Sequence, residues 1–342
     1  TGVVHNGATI GFSGGTNGKV FNSYAAVKTT GTTIFGGTVL NCYYDVNATE
    51  KAVEDVVDSI TKKTTNDMST IDSNPTGILN PTNKLLGTST GTQEDLAIWT
   101  QNKAINFGYP TLSTGAYSNL TSYMRINTGD GSSGNYLQIP NPGKLAQLQD
   151  GGGPDEFNLA WTGTYKRYTL ISNIDLSKVQ NLASWSSIGK ASSNLFSGIF
   201  DGNNYKILNV PSITGDHAGF FGYISGATIK DCDFIYAPGA EVKGSSTAGG
   251  VVGRVTGSTT IENVTSSGAK ITTSDSGASI GGLIGRNQST STSSLVDACK
   301  NYNLVESIAS NVYSGGIVGF SNGQPKATNC INFGEINAPN SS

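Results

Sequence analysis

Residues 249–266, "GGVVGRVTGSTTIENVTS", contain the pattern that decides the fold. Two glycines precede two aliphatic residues and a third glycine; a polar turn follows, and a short strand-like run then ends near Asn263. Versions of this pattern also start at residues 218, 281 and 315, so successive starts are separated by 31, 32 and 34 residues. Because the differences in length lie in polar turns, the pattern is an internal structural repeat.

The repeat predicts an all-β fold, a right-handed parallel β-helix (a solenoid) with short capping helices. Each period holds two or three short strands broken by Gly, Ser and Asn, without helical periodicity or hairpin turns at regular spacing. A period of this length fits one coil with three strands and three corners. Each pair of apolar residues is followed by a glycine, at which a Cβ would clash in a bend. These structural glycines are Gly222, Gly253, Gly285 and Gly319.

Three of the four cysteines fall at one position of the repeat, and the repeat that starts at residue 249 has Val264 there. Since valine replaces cysteine, we predict a structural ladder of small interior side chains formed by Cys232, Val264, Cys299 and Cys330. A disulfide between Cys299 and Cys330 stays open, although stacked strands seldom suit disulfide geometry. Without C-x₂-C spacing, and with only His5 and His217, no metal site and no cofactor are predicted.

Further motifs lie before the repeats. They are "YTLISNIDLS" (168–177), "WSSIG" (185–189) and "FSGIFDGNNYKILNV" (196–210), and with "GGLIG" (281–285) they resemble the GLUG-motif repeats of bacterial surface proteins. The resemblance implies a β-helix over 136–342, with repeats at 218–247, 249–279, 281–313 and 315–337. A short helix is expected to cap its first coil, with Asn141 as N-cap and Pro142 at the first helical position. Asp201 and Gly202 are expected to form a structural turn.

The N-terminal third resembles the closing end of such domains, in "GKVFNSYAAV" (18–27) and "GGTVLNCYYDVN" (36–47). We therefore interpret 1–112 as coils and a closing cap, with a short helix at about 48–63 begun by Asn47 and Glu50, and 113–135 as a linker. Closing features thus precede opening ones. Three explanations of this order stay open. They are a tandem array cut across two units, docking of 1–47 on the C-terminal coils of the same chain, and head-to-tail association of otherwise monomeric molecules. Docking within the chain is favoured.

Composition and motifs exclude several classes of function. A net charge of −3 offers no basic stripe for nucleic acid, and no apolar stretch is long enough to span a membrane. The sequence also lacks a G-x-S-x-G, an H-E-x-x-H and a phosphate-binding loop. Acidic residues such as Asp231 and Asp233 are assigned to turns and corners. We therefore expect a protein that is not an enzyme.

The resemblance and the aromatic residues together indicate adhesion. We predict a bacterial cell-surface (outer-membrane) or secreted, adhesin-like protein whose partner is a glycan or a host or bacterial surface protein. The candidate stacking platforms for sugars are Tyr43, Tyr44, Trp161, Tyr165 and Tyr168. Two alternatives stay open: a structural spacer or stalk of a larger surface protein, and a glycan-degrading β-helix enzyme. The enzyme would need carboxylates that converge in an exposed groove.

Overall fold

The structure is a computed structural model that describes residues 3–4, 19–21, 24–25, 28–29, 38–40, 42–45, 47, 60–69, 99–100, 111–112, 131–150, 167–179, 182–322 and 326–339. Short strands dominate these ranges. They suit a chain rich in Gly, Asn, Ser and Thr, because Gly and Asn tolerate tight turns and Thr favours extended backbone.

The strands and helices are numbered in chain order. The strands of the N-terminal part are β1 (Val3–Val4), β2 (Lys19–Phe21), β3 (Tyr24–Ala25), β4 (Lys28–Thr29), β5 (Thr38–Leu40), β6 (Cys42–Asp45), β7 (Ile60–Lys63), β8 (Trp99–Thr100) and β9 (Thr111–Leu112). The next group is β10 (Leu137–Ile139), β11 (Arg167–Leu170), β12 (Ile174–Asp175), β13 (Ile199–Asp201), β14 (Lys206–Val210), β15 (Ile213–Ala218), β16 (Phe221–Ser225), β17 (Thr228–Tyr236), β18 (Glu241–Gly249) and β19 (Val252–Thr256). The last group is β20 (Thr260–Thr272), β21 (Ser279–Gly281), β22 (Ile284–Asn287), β23 (Leu295–Asp297), β24 (Lys300–Glu306), β25 (Tyr313–Gly315), β26 (Val318–Ser321), β27 (Lys326–Thr328), β28 (Ile331–Asn332) and β29 (Ile336–Asn337). The helices are α1 (Thr65–Ser69) and α2 (Pro142–Gln147), and 3₁₀ turns cover Leu148–Asp150 and Leu176–Lys178.

Among the named strands of the described ranges, every pair is parallel except β8 with β9. The main sheet includes the path β10-β11-β13-β17-β20-β18-β21-β25, and a second sheet has the order β16-β19-β22-β26. Parallel neighbours need a long connection between them, and here each connection is the rest of one coil. The chain thus winds as a parallel β-solenoid of about six turns, which confirms the predicted fold class.

The register of the second sheet follows the sequence repeat. Phe221 pairs with Val252, Val252 with Ile284, and Ile284 with Val318. These partners are 31, 32 and 34 residues apart, as the starts of the repeats are. One period of the sequence is therefore one coil, and the polar turns absorb the differences in length.

The interior changes from aromatic to aliphatic along the solenoid. The first coils bury a cluster of large side chains, Trp185, Phe196, Phe200, Phe220, Phe221 and Phe234. The ring of Trp185 stacks on Phe220 with centroids 4.4 Å apart, and its Nε1 donates a hydrogen bond of 3.0 Å to the Phe220 carbonyl. Later coils bury smaller residues such as Val251 and Leu283. Each buried side chain of this size stabilises the fold by about 1.5–3 kcal/mol.

Helix α2 covers the first coil, and its start is the predicted one. Asn141 is the N-cap in extended backbone, and its side chain accepts a hydrogen bond of 2.9 Å from the Lys144 backbone amide. Pro142 occupies the first helical position, where a missing N–H costs nothing. Leu145 and Leu148 are buried against the first coils, so α2 shields the apolar end of the solenoid.

The helix predicted at about 48–63 is wrong over its last four residues. Ile60–Lys63 forms β7, which pairs in parallel with β6, and the helix α1 begins only at Thr65; residues 48–59 lie outside the described ranges. The β-branched Ile60 and Thr61 favour extended backbone beside an available strand edge. The Asn47 side chain accepts a hydrogen bond of 3.1 Å from the Thr65 backbone amide.

Asp45, Asn47 and Thr65 lie against the cap that covers the first coil, whereas most of the segment 1–47, for which we predicted docking on the C-terminal coils, lies outside the described ranges. Thr65 of α1 and Asn47 lie directly against Gly143 of α2, where a Cβ would collide with both side chains. The buried Lys144 and Asp45 also interact electrostatically across this contact. At the other end, Ile336 continues the row of the core residue Val305 yet is 47% exposed. The assignment of 113–135 as a linker is tested only over 131–135, which form a turn in contact with Arg167.

Candidate ligand-binding face

The outer face of the solenoid is set by the alternation of side chains along β24. Asn301 and Asn303 are buried, while Lys300 and Tyr302 are exposed. In the next coil Ile331 pairs with Lys300 and Asn332 with Asn301, so Phe333 follows Tyr302 on the outer face. Alternation therefore directs apolar side chains of two consecutive coils to solvent.

These residues form an exposed apolar platform. The rings of Tyr302 and Phe333 stack almost in parallel, with centroids 4.8 Å apart and an interplanar angle of 11°. Tyr302 is 47% exposed and Phe333 58% exposed, and Ile331 beside them is similarly exposed. We call Lys300, Tyr302, Ile331 and Phe333 the aromatic face. Ring surfaces of this kind pack on the apolar faces of ligands, and the tyrosine hydroxyl adds a hydrogen-bonding group.

Buried amides hold the backbone beneath the aromatic face. The Asn301 side chain donates a hydrogen bond of 2.7 Å to Asn332 Oδ1 in the next coil. The Asn303 side chain donates to Ser266 Oγ at 2.8 Å and to the Gly282 carbonyl at 2.9 Å. Satisfied polar networks in a solenoid interior favour one arrangement of the strands, so the platform stands on a rigid base.

The predicted sugar platforms lie elsewhere, and three of them are buried. Tyr43 and Tyr44 are on β6, the central strand between β3 and β7, and both are almost fully covered. Tyr168 pairs with the core residue Phe200 and points inward. Burial raises the pKa of Tyr44 and of Tyr168. The prediction that these three bind sugars is therefore wrong, and Trp161 and Tyr165 lie outside the described residues.

Sequence reasoning missed Tyr302 and Phe333, although a signal for them was present. Each follows a ladder cysteine by three positions, Cys299 and Cys330 respectively. Because side chains alternate, an odd offset from an interior rung points to the outer face. Applying this parity to every aromatic residue of the repeats would have identified the aromatic face.

The structure places the cysteine ladder in the solenoid wall. Cys232 pairs with Val264 in the neighbouring strand, and both are buried. Cys299 is fully buried, Cys330 is half-buried, and Cys232, Cys299 and Cys330 are free thiols. Burial, together with nearby carboxylates, raises the pKa of the Cys232 thiol well above its usual range. A thiol with a raised pKa is a poor nucleophile near neutral pH.

A corner of left-handed backbone precedes each ladder residue. Its members are Asp231 (φ 53°), Asn263 (φ 50°), Ala298 (φ 52°) and Asn329 (φ 53°). The Asn263 side chain donates a hydrogen bond of 2.8 Å to Asp231 Oδ1, which links two coils. Asn and Asp tolerate this conformation better than other residues with a Cβ. Their recurrence at this position therefore reflects the left-handed backbone that the corner requires.

Asp201 and Gly202 form the turn that leads into this corner. The Asn203 amide donates a hydrogen bond of 2.8 Å to Asp201 Oδ1. A Cβ at Gly202 would collide with the backbone of Asp231 and the side chain of Cys232. Close approach of the two coils therefore excludes any larger residue at position 202.

The four repeat glycines are required for the same reason. None has a positive φ, yet each lies against backbone atoms of an adjacent coil. A Cβ at Gly253 would be 2.6 Å from the His217 carbonyl carbon, and one at Gly285 would be 2.7 Å from the Gly253 carbonyl oxygen. Gly222 and Gly319 are still more crowded. Space, and not backbone conformation, requires glycine here.

The acidic residues near the corner are held in ion pairs. Lys230 Nζ lies 2.8 Å from Asp201 Oδ2 and 3.0 Å from Asp231 Oδ2, and Lys206 Nζ lies 3.4 Å from Asp233 Oδ2. Partial burial acts to raise the pKa of Asp231, but hydrogen bonds from Asn263 and Lys230 hold it below its usual value. A general acid for glycoside cleavage needs a raised pKa instead. Within the described ranges, no group of three or more His, Cys, Asp or Glu side chains is placed to hold a metal ion.

None of the helices in the described ranges has the length and apolar character that crossing a membrane requires. Comparison with known proteins adds a family match. Residues 244–272, which span the end of one coil and most of the next, match the family model of the GLUG motif. The resemblance predicted from sequence is thereby confirmed. No curated protein matches the chain.

One solved structure is similar to part of the chain. It is the 1.30 Å crystal structure of a protein from Bacteroides ovatus, assigned provisionally as an immunoglobulin A1 protease. The two chains are 18% identical, with a TM-score of 0.37, and the alignment covers 59% of this chain and 76% of the other.

Proposed function

We propose that this GLUG-motif parallel β-helix protein is non-enzymatic and adhesin-like, and that it binds a glycan on a bacterial cell surface or after secretion. The aromatic face carries the proposal. It presents two stacked, half-exposed rings on the outside of a rigid coil, where a soluble protein gains nothing from exposing them.

The composition of the aromatic face favours a sugar over a protein ligand. A protein interface of ordinary size needs about 800 Å² on each partner, whereas the face consists of four neighbouring side chains. A sugar ring matches the area of one or two aromatic rings, and its hydroxyls can be bonded by the tyrosine hydroxyl and by Lys300. A protein ligand remains the runner-up partner in the test.

A glycan-array screen followed by calorimetry tests the proposal. We expect the purified chain to bind at least one glycan, and Tyr302→Ala and Phe333→Ala each to weaken binding about tenfold, which corresponds to about 1.4 kcal/mol. Ile308→Ala is the matched control, because Ile308 is an exposed apolar residue outside the aromatic face. Its affinity is expected to equal that of the unaltered chain.

Other results would overturn the proposal in distinct ways. If the folded chain retains no glycan and no surface protein, the spacer role replaces it. If the alanine variants bind as well as the unaltered chain, the aromatic face is not the site. Release of reducing ends from a polysaccharide would make the protein an enzyme.

A further inference from the structure

A second row of side chains runs along the corner between two groups of strands. On β16, β19, β22 and β26 the residues in register are Tyr223, Arg254, Arg286 and Phe320. On β15, β18, β21 and β25, which contact those strands, the facing row is His217, Thr247, Ser279 and Tyr313. We call these eight residues the arginine corner. Its two inner coils each offer one arginine and one hydroxyl, and its two outer coils offer aromatic pairs.

Aromatic rings hold both guanidinium groups in place. Arg254 Cζ lies 5.1 Å from the centre of the Tyr223 ring, and Arg286 Cζ lies 4.7 Å from that of Phe320. Tyr223 in turn packs on His217 at 5.3 Å, and Phe320 on Tyr313 at 4.6 Å between ring centroids. Stacking of this kind suits the planar, weakly hydrated guanidinium. The two cations are therefore positioned before any ligand arrives.

Arg254 and Arg286 lie side by side, and neither forms an ion pair within the described ranges. Their Cα atoms are paired on adjacent strands, which lie about 4.8 Å apart, so the positive charges repel each other. Within the described part of the chain neither guanidinium makes an ion pair or a hydrogen bond, and the Nε atoms of both are buried without an acceptor. The side chains are half-buried; Nε is the nitrogen of each that is buried without a partner, so the terminal nitrogens reach solvent. The Ser279 hydroxyl is also buried without a partner.

The other titratable groups at the corner, Asp216 and His217, offset this pair only in part. Asp216 accepts hydrogen bonds from Ser245 and Ser246, and its Oδ2 lies 3.5 Å from His217 Nε2. Burial, opposed by Asp216 and reinforced by the two arginines, lowers the pKa of His217. The histidine is thus neutral at pH 7 and donates or accepts a hydrogen bond with Thr247 Oγ1 at 3.1 Å. The hydrogen bonds from Ser246 and Ser245, with a further contribution from the charge of Arg254, lower the pKa of Asp216. Two cations therefore share one carboxylate that is already hydrogen-bonded.

We propose that the arginine corner binds the anionic groups of an acidic polysaccharide, carboxylate or sulfate, between Arg254 and Arg286. The inference rests on the proposed role in glycan binding, but Arg254 and Arg286 lie on a different sheet from the aromatic face. An anion there receives charge-assisted hydrogen bonds from terminal nitrogens of both arginines and relieves their repulsion. A linear polymer aligned with the solenoid axis presents successive acidic groups to successive coils. The chain's net charge of −3 gives no general attraction for polyanions, so binding must be local.

Binding of three polymers distinguishes the sources of the anion. The probes are polygalacturonate for carboxylates, dextran sulfate for sulfates and plain dextran as the neutral comparison. We expect the chain to bind at least one acidic polymer, with Arg254→Gln/Arg286→Gln weakening binding at least tenfold. The control is Lys190→Gln/Lys326→Gln, which removes the same charge from exposed positions outside the corner. Arg254→Lys is expected to lose part of the affinity, because lysine keeps the charge without the planar fork.

Each outcome bears on the proposal. It is overturned if the folded chain binds neither acidic polymer, if both double variants lose affinity equally, or if an acidic peptide such as polyglutamate binds better than both polymers. Thermal melting of every variant establishes that it is folded. Binding that depends on the arginines but not on Tyr302 and Phe333 supports the corner and rejects the aromatic face; the reverse result keeps the proposed function and rejects the corner.

Discussion

Ala298 is the one member of the left-handed corner that has neither a side-chain amide nor a carboxylate. Its φ of 52° is a conformation that costs a residue with a Cβ about 1 kcal/mol. Neighbouring coils have Asn263 and Asn329 at the same position. The structure therefore marks residue 298 as a point of stored strain in an otherwise regular row.

We predict that Ala298→Asn stabilises the fold by about 1 kcal/mol. Asparagine tolerates left-handed backbone, and its amide can join the row that Asn263 forms with Asp231. The free energy of unfolding from urea titration checks the expected gain. Ala298→Val serves as the opposite control, because a β-branched residue is strained further there; equal stability of the two variants would contradict this interpretation.

Cys299 lies in the wall of the solenoid, and its reactivity reports on folding. Burial raises the pKa of its thiol to about 12, above the value of about 8.5 for an exposed thiol. The folded state therefore holds the proton that the unfolded state releases, so this thiol's contribution to stability is complete below about pH 8.5 and declines as the pH rises toward 12.

We predict that iodoacetamide at pH 9 leaves Cys299 unmodified in the folded protein and modifies it in urea, as measured by peptide mass spectrometry. The half-buried Cys330 is the internal comparison and should react first. Rapid modification of Cys299 in a protein that still melts cooperatively would show that the ladder is open to solvent.

At the residue scale, the sequence predicts the interior ladder residues better than it predicts which residues are exposed on the outer face. Cys232, Val264 and the repeat glycines recur at a fixed period because each coil places the same spatial demand on them. Tyr44 and Tyr302 are the same residue type, yet Tyr44 is buried in a central strand and Tyr302 lies on the outer face. Exposure depends on the parity of the strand and on what covers it, which a single residue type does not reveal.

Among the elements, the strand junctions at the repeat glycines are the least tolerant. We predict that Gly285→Ala destabilises the fold by about 3 kcal/mol or more, because the new methyl group meets backbone of the neighbouring coil at 2.7 Å and backbone shifts are costly. Gly215→Ala is the matched control, since no atom lies within 4 Å of its Cβ position and its φ is not positive. Thermal melting by circular dichroism distinguishes them, and similar melting temperatures would refute the crowding argument.

A helix could be predicted from sequence where local capping residues determine its start, and not where pairing with a distant strand determines the backbone conformation. Asn141 and Pro142 specify the start of α2 by capping alone, and the structure agrees. Apolar residues at positions 52, 53, 56, 57 and 60 have helical spacing, but the last residues of the predicted helix extend beside β6. Hydrogen bonds offered by a strand edge distant in sequence override a local pattern.

For the whole molecule, the coil is the unit that can be removed. Gly249 pairs with Gly281, so deletion of 250–281 joins Gly249 to Gly282 and restores the motif as "GGLIG". We predict that this variant keeps β-sheet circular dichroism and unfolds cooperatively at a lower temperature. Each coil contacts only its neighbours, so its loss removes one set of interfaces.

Deletion of 250–265 is the control for the coil deletion. It removes part of a coil and places every later residue out of register, so we expect a chain that is unfolded or aggregated. If both deletions behave alike, the repeat is not the unit of stability.

The order of the closing and opening motifs was the part of the architecture that sequence left open. Three arrangements were compatible with the motifs, and the structure places α1 against α2. That contact involves Asn47, Thr65 and Gly143, residues separated by up to about a hundred positions in the chain. The repeat pattern does not predict a contact between α1 and α2, because neither helix belongs to the repeat.

The parallel register has a mechanical consequence. Hydrogen bonds between coils run along the solenoid axis, and each coil is bonded only to the coils on either side. A pulling force on the last strand therefore loads one interface at a time and frees one coil of roughly 32 residues, about 110 Å of extended chain, at each rupture. Under tension such a molecule lengthens in nearly equal steps. Each step dissipates energy, and the ends of the chain stay connected throughout.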